Sequence, residues 1–193
     1  MRLAIFGGTF DPVHEAHLAI GRQAADAFSL ERVLFVPAAR PPHKAGITFA
    51  PYEDRVRMLE LACAGDPRFE VSLLEKDTPR SYSIDTIGKV RTGLAPGDEL
   101  FFIIGADAFA EIRTWLRWRD VAASVTFIVV SRPGHLYNVP EGVRAVRLDT
   151  LDMPISSSDV RRALVSGKRP CELPSSVLEY ILQHGLYGTG RPR

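Results

Sequence analysis

Short apolar runs alternate with longer amphipathic stretches along most of this chain. Apolar runs stopped by Gly or Pro are typical of buried parallel strands. Stretches in which apolar residues recur every three or four positions predict helices. The predicted strands are 3–6, 33–36, 69–74, 100–104, 125–130 and 143–148, and the predicted helices are 14–28, 52–64, 82–94, 107–112, 117–123, 157–166 and 175–183.

This alternation predicts an α/β fold, a doubly wound (Rossmann-like), mostly parallel sheet with helices on both faces. Right-handed crossovers place the carboxyl ends of parallel strands at one edge, where ligands of such folds bind. We expect one domain over residues 1–187, in which 151–187 form a small C-terminal helical part. Residues 188–193 are expected to be a flexible tail.

Composition and charge narrow the class of protein. The chain has 193 residues, 46% of them hydrophobic, and a formal net charge of +1, so no overall field draws it to nucleic acid or to an anionic membrane. No apolar stretch approaches the roughly 20 residues of a membrane span. Cys63 and Cys171 lack the spacing of a metal or redox site and are expected to be free thiols. We therefore expect a cytoplasmic protein without nucleic-acid or membrane partners; its oligomeric state stays open.

The segment after the first predicted strand carries the first candidate chemistry. Gly7 and Gly8 let the backbone approach a phosphate, and the amino end of the next helix adds positive potential. His14 and His17 are three positions apart, so they share a face of that helix. A bare H-x-x-H is weak evidence for zinc, which needs a third protein ligand. A Gly-Gly turn alone is only a turn, so the whole segment has to be considered together.

A second candidate segment opens the predicted helix 157–166. Read structurally, the serines of Ile155-Ser156-Ser157-Ser158 provide an N-cap. Hydroxyls, free N–H groups and Arg161 one turn later also form a potential anion cradle. The two interpretations are compatible.

Both segments resemble motifs of the nucleotidylyltransferase superfamily. Residues 7–17 resemble its T/HxGH motif, with Ala16 where the family usually has Gly. The resemblance implies that His14 and His17 contact the ATP phosphates. Residues 155–161 are similar to its I-S-S-T/S-x-x-R motif, which grips the same phosphates from the opposite side. The residues assigned to ATP by these two motifs are Gly7, Gly8, Thr9, Phe10, Ile155, Ser156, Ser157 and Arg161.

Further segments resemble bacterial nicotinate-nucleotide adenylyltransferases in particular. Pro41-Pro42-His43-Lys44 is similar to their PPHK loop, in which the lysine approaches phosphate, and residues 81–86 resemble S-Y-T-x-x-T, which engages the pyridine carboxylate. Residues 102–107 resemble F-I-I-G-x-D, whose downstream tryptophan stacks on the pyridine ring. The residues that these motifs assign are Ser81, Tyr82, Ser83, Thr86 and Trp115 for the pyridine nucleotide, and Gly105 and Asp107 for ATP. Arg132 is also expected to bind ATP, because it follows the fifth predicted strand at the same edge of the sheet.

The resemblance implies adenylyl transfer from ATP to nicotinate mononucleotide, giving deamido-NAD and pyrophosphate by direct in-line attack. His14, His17, Lys44 and Arg161 are the expected catalytic residues. Mg²⁺ is expected to arrive on ATP, because the sequence shows no all-protein carboxylate site. The rival substrates are the amide nicotinamide mononucleotide (NMN) and other phosphorylated small molecules, and the rival class is a non-catalytic nucleotide-binding protein.

Overall fold

The structure is a computed structural model that describes residues 1–40, 49–150 and 155–190. Its strands are β1 (Arg2–Gly8), β2 (Arg32–Pro37), β3 (Phe69–Val71), β4 (Glu99–Gly105), β5 (Thr126–Ser131) and β6 (Ala145–Asp149). Its α-helices are α1 (Glu15–Ala27), α2 (Tyr52–Cys63), α3 (Ser83–Arg91), α4 (Ala106–Ala110), α5 (Trp118–Ser124), α6 (Ser157–Val165) and α7 (Ser175–Gln183). No helix in these three ranges is long and apolar enough to cross a membrane.

The strands form one sheet in the order β3-β2-β1-β4-β5-β6, and every neighbouring pair is parallel. This confirms the predicted doubly wound fold. The chain order reverses between β1 and β4, which lie side by side at the centre of the sheet. In such sheets, ligands bind in the crevice beyond the carboxyl ends of the strands at this reversal.

The alternating side chains of β1 divide the core between the two faces of the sheet. Ala4 and Phe6 belong to a cluster that includes buried residues of α1, α2, α6 and α7. Leu3 and Ile5 belong to a second cluster built with α3, α4 and α5. Helices thus cover both faces, as predicted, because successive side chains of a strand point to opposite sides.

Two elements differ from their sequence-based boundaries near the site. Strand β3 ends at Val71, three residues before the predicted end, because the chain then turns: the Leu74 N–H donates to the Ser72 hydroxyl and the Lys76 N–H to the Leu73 carbonyl. The predicted helix 107–112 is divided into α4 and a 3₁₀ turn over Ile112–Thr114. The first difference matters for the site, because the turn carries Glu75 beneath α3.

Candidate active site

The two motif histidines form a stacked pair at the start of α1. His14 precedes the helix as its N-cap, and the ring centroids of His14 and His17 are 3.8 Å apart. The backbone N–H of His14 donates to Nδ1 of His17 at 3.2 Å. A neutral imidazole has one protonated nitrogen, so this bond places the hydrogen of His17 on Nε2. His17 is thereby prepared as a hydrogen-bond donor through Nε2.

Burial keeps both rings uncharged in the free protein. His14 is only 4% exposed, and burial lowers its pKa to about 4. Burial, and secondarily the neighbouring His14, lowers the pKa of His17 well below its usual value of 6.5. At neutral pH the pair therefore offers hydrogen-bond donors rather than positive charge. A nearby polyphosphate would raise both pKa values by favouring the protonated forms.

Phe10 packs against His17 of the histidine pair. Its ring meets that of His17 edge to face at a centroid distance of 5.0 Å, and its side chain is buried. Contact between Phe10 and ATP would therefore use its main chain. A Cβ atom on Gly8 would lie 2.9 Å from the Phe10 ring, whereas one on Gly7 would meet nothing closer than 3.7 Å. Gly8 is thus required by the packing of Phe10 as well as by any approach of phosphate.

Asp11, which sequence reasoning assigned no role, is the buried centre of the loop after β1. Its carboxylate accepts hydrogen bonds from the backbone N–H groups of Phe49 and Ala50, at 2.7 and 3.1 Å. It also accepts the hydroxyl hydrogen of Tyr187 at 2.7 Å. The segment that carries the histidines is thereby tied to the residues shortly before α2 and to the 3₁₀ turn at Tyr187.

Arg55 is a second buried polar residue that sequence reasoning missed. Only 1% of it is exposed, and its guanidinium donates to the carbonyls of Thr9 at 2.7 Å, Ala38 at 2.9 Å and Ala50 at 3.3 Å. One side chain therefore links the loops after β1 and β2. A charged residue inside an amphipathic helix gives no sequence signal for such burial.

The amino end of α6 packs directly on the histidine loop. Ser156 is the N-cap and accepts the Asp159 N–H at 3.1 Å, which confirms the capping interpretation. The Ser157 hydroxyl donates to the Pro12 carbonyl at 2.9 Å, and Arg161 donates to the Asp11 carbonyl at 2.5 Å. The two segments expected to bind phosphate, 7–17 and 155–161, are thus in contact although they are far apart in the chain.

The remaining residues assigned to ATP or to catalysis are Ile155, Arg161 and Lys44. Ile155 packs against the first core cluster, so its side chain has a structural role. The guanidinium of Arg161 also lies 4.0 Å from the centre of the Phe49 ring and donates to Ser158. Lys44 lies outside the described residues, together with the rest of 41–48.

Two cavities flank Gly105 at the carboxyl edge of the sheet. The first, the β5 cavity, has a volume of about 370 Å³ and is lined by Gly105, Asp107, Arg132 and neighbouring residues. The second, the Trp115 cavity, has a volume of about 210 Å³ and is lined by Gly7, Gly8, Gly105, Trp115 and residues of the 81–86 segment. A Cβ atom on Gly105 would have no neighbour within 4 Å and would project into open space.

The 81–86 segment forms one wall of the Trp115 cavity. Ser81 exchanges two hydrogen bonds with the main chain of Arg40, at 3.0 and 3.1 Å. Ser81 and Ser83 line the cavity with Thr86, and Tyr82 lines the adjoining surface beside Trp115. The Trp115 ring meets Phe102 edge to face at 5.9 Å. The structure thus brings Ser81, Ser83, Thr86 and Trp115 to one cavity.

The chain is similar in sequence to several known proteins. A family described as cytidylyltransferase-like matches residues 5–163. A protein of Solibacter usitatus named probable nicotinate-nucleotide adenylyltransferase is 65% identical over 97% of this chain and 100% of its own length. A Thermus thermophilus protein of the same name is 47% identical over 97% of this chain and 100% of its own.

The fold has a solved counterpart. The Plasmodium falciparum nicotinic acid mononucleotide adenylyltransferase, in a complex with NaAD, superimposes with a TM-score of 0.79 over 99% of both chains at 18% identity. At that identity the match shows the shared fold alone. The sequence relatives, at 65% and 47% identity over nearly the whole chain, lead to one conclusion: the chain belongs to the nicotinate-nucleotide adenylyltransferase family.

Proposed function

We propose that this chain transfers the adenylyl group of ATP to nicotinate mononucleotide, giving deamido-NAD and pyrophosphate. One observation carries the proposal: two cavities meet at Gly105 where the strand order reverses, one lined by Asp107 and Arg132, the other by the 81–86 segment and Trp115. Two neighbouring cavities suit a reaction that joins two nucleotides. The names of the sequence relatives support the same reaction.

The chemistry needs positioning and charge stabilisation more than proton transfer. The 5′-phosphate of the mononucleotide is ionised at neutral pH, so it can attack the α-phosphorus of ATP without a general base. Negative charge then builds on the leaving pyrophosphate. In the proposed complex, Nε2–H of His17 donates to that group, and His14 adds a second imidazole beside it. Lys44, which follows β2 in the sequence, would supply a positive charge.

Arg161 would hold the phosphates from the other side. Two of the five N–H donors of its guanidinium are engaged by Asp11 and Ser158. These bonds hold the side chain beside the histidine loop, and the remaining donors can meet phosphate oxygens. Ser156, Ser157, Thr9 and the glycines after β1 complete the proposed ATP site.

Mg²⁺ is proposed to enter with ATP. In ranges 1–40, 49–150 and 155–190, no three His, Cys, Asp or Glu residues are grouped to hold a metal ion. One carboxylate, that of Asp107, lines the β5 cavity. Magnesium is usually bound by one or two carboxylates together with phosphate oxygens and water, so this donor set fits an ion carried by the nucleotide. When bound, the ion would neutralise charge on the phosphates.

We also propose a cytoplasmic location and a single functional domain over residues 1–187. Both cysteines are free, Cys63 buried and Cys171 exposed, which suits a reducing compartment. The C-terminal helices share the first core cluster with the sheet, which supports treating them as part of the same domain.

The test is ATP-dependent pyrophosphate release with nicotinate mononucleotide and NMN measured side by side. The proposal predicts turnover that requires both ATP and a pyridine mononucleotide, with the acid form preferred. The dinucleotide product should be identified by mass. Absence of pyrophosphate with either acceptor, in a folded protein supplied with Mg²⁺, would refute adenylyl transfer to a pyridine mononucleotide.

A further inference from the structure

Glu75 is a buried carboxylate at the wall of the Trp115 cavity, and the reaction described above does not use it. It is 7% exposed and lies in the turn after β3. Its Oε1 accepts the hydroxyl hydrogen of Thr86 at 2.6 Å. Its Oε2 is buried and has no hydrogen-bond partner among the described residues. Buried polar atoms in folded proteins almost always have a hydrogen-bond partner, so the burial of this carboxylate points to a specific cause.

Stability alone does not explain Glu75. A buried carboxylate with a single hydrogen bond destabilises the folded state relative to an apolar residue of similar size. The nearby Tyr52 hydroxyl is also buried and unpartnered in the described part of the chain. Burial raises the pKa of Tyr52, and the charge of Glu75 raises it further, which indicates that the two groups share one poorly solvated region. Such costs concentrate where a site requires them.

The hydrogen bond to Glu75 determines how Thr86 can meet a ligand. Thr86 lies in the first turn of α3, and its hydroxyl has a single hydrogen to donate. That hydrogen is directed to Glu75 at 2.6 Å rather than to the Tyr82 carbonyl, which lies 3.4 Å from the hydroxyl, so Thr86 presents only lone pairs elsewhere. A nicotinate carboxylate beside it would then depend on N–H donors from the amino end of α3, where Ser83 lines the cavity.

The same bond anchors the amino end of α3. The turn after β3 contacts α3 through Glu75 with Thr86, and through Lys89, whose ammonium donates to the Leu74 carbonyl at 2.8 Å. The Lys89 contact is exposed and at the far end of the helix. The Glu75–Thr86 bond is the buried link, and it lies next to the serines of the 81–86 segment.

We infer that Glu75 is a positioning residue of the pyridine-nucleotide site: its carboxylate holds the Thr86 hydroxyl and, through it, the first turn of α3 against the Trp115 cavity. The inference rests on the proposed function, because it assigns the pyridine nucleotide to that cavity. The hydrogen-bond acceptor matters in this role, and the negative charge does not.

The test compares Glu75→Ala, Glu75→Gln and Thr86→Val with wild type. Calorimetry gives the Kd for nicotinate mononucleotide without turnover, and steady-state assays give KM for each substrate and kcat. Loss of the buried bond in Glu75→Ala or Thr86→Val is expected to raise Kd and KM for the mononucleotide about tenfold. The KM for ATP should change by less than about twofold, because no ATP contact is removed.

Glu75→Gln separates the hydrogen bond from the charge. Its amide oxygen can still accept the Thr86 hydrogen, so its Kd for the mononucleotide should stay within about threefold of wild type. The double variant Glu75→Ala/Thr86→Val should bind no more weakly than either single variant, because both remove the same bond. Glu70→Ala is the matched control, since it removes an exposed carboxylate from β3.

The inference would be overturned by a Glu75→Gln variant as weak as Glu75→Ala, by additive effects in the double variant, or by equal increases in KM for both substrates. If Glu75→Ala does not fold, the comparison of Thr86→Val with Glu75→Gln tests the inference. Melting temperatures show which variants are folded. A wild-type chain that neither binds nor adenylylates the mononucleotide would refute the proposed function and this inference together. An active wild type with unaffected variants would refute the inference alone.

Discussion

The position of the hydrogen on the His17 ring can be tested with substitutions that imitate one ring nitrogen or the other. The amide oxygen of Asn lies near the position of Nδ1, so His17→Asn can still accept the His14 N–H, a bond of 3.2 Å in the native site. The amide nitrogen of Gln lies near the position of Nε2 and can donate to a phosphate oxygen. His17→Ala removes both functions. Since only the Nε2–H is proposed to face the substrate, Gln should be the best replacement and Asn should resemble Ala.

The expected magnitude follows from the role of the donor. Removing one preorganised donor from a site of developing negative charge costs about 10²–10³ in kcat. We therefore expect His17→Ala and His17→Asn to lose about 100-fold or more in kcat, and His17→Gln to retain at least about a tenth of the wild-type rate. The edge-to-face contact with Phe10, at 5.0 Å, is lost in all three variants and contributes about 0.5–1.5 kcal/mol to stability. All three should therefore still fold.

The assay is pyrophosphate release at saturating ATP and mononucleotide, with melting temperature measured for each variant. Folded His17→Asn protein that turns over as fast as His17→Gln would refute the assigned tautomer. An unchanged kcat in folded His17→Ala would refute any role of His17 in stabilising the phosphates.

Four further predictions concern stability and binding. Arg55→Met leaves three main-chain carbonyls without their side-chain donor and removes the positive charge that offsets the Asp11 carboxylate, so urea unfolding should show a loss of about 3–5 kcal/mol, whereas a surface arginine variant should lose little. For His14, whose pKa falls from 6.5 to about 4 on folding, the unfolded chain binds the proton first on acidification; stability should therefore fall by about 2 kcal/mol between pH 8 and pH 5, and His14→Gln should show a correspondingly smaller fall. Gly105→Ala has an ordinary φ of −69° and no steric neighbour, so its melting temperature should match wild type while nucleotide affinity falls; unchanged affinity would contradict the shared edge of the two cavities. Trp115→Ala should mainly raise KM for the pyridine nucleotide, and a change confined to the KM for ATP would refute its assignment.

Much of this protein follows from its sequence alone, because the relevant information is local. Runs such as 100–104 and 125–130 are apolar without alternation, as strands covered on both faces must be, and β4 and β5 lie where they predict. The strand-helix alternation then restricts the sheet to a parallel, doubly wound arrangement. Motif spacing was sufficient to select His14, His17 and Arg161 as candidates. The capping role of Ser156 could also be predicted from the sequence, because it depends on a residue three positions away.

Other features depended on contacts between distant parts of the chain. Asp11 binds Tyr187, which is 176 positions later, and Arg161 meets the Asp11 carbonyl across 150 positions. Nothing local distinguishes buried Glu75 from an exposed acidic residue in a turn, because its burial depends on how the turn packs against α3, where Thr86 donates to it.

The sequence by itself therefore determined the fold class and the residue types that could bind phosphate, because apolar periodicity and motif spacing are local properties. Only the tertiary structure decided which of those groups are neutral, which nitrogen carries a hydrogen, and which buried polar residues hold the site together. Desolvation and hydrogen-bond partnership depend on what packs around each group, and for Arg55 and Glu75 those neighbours lie in other elements of the fold.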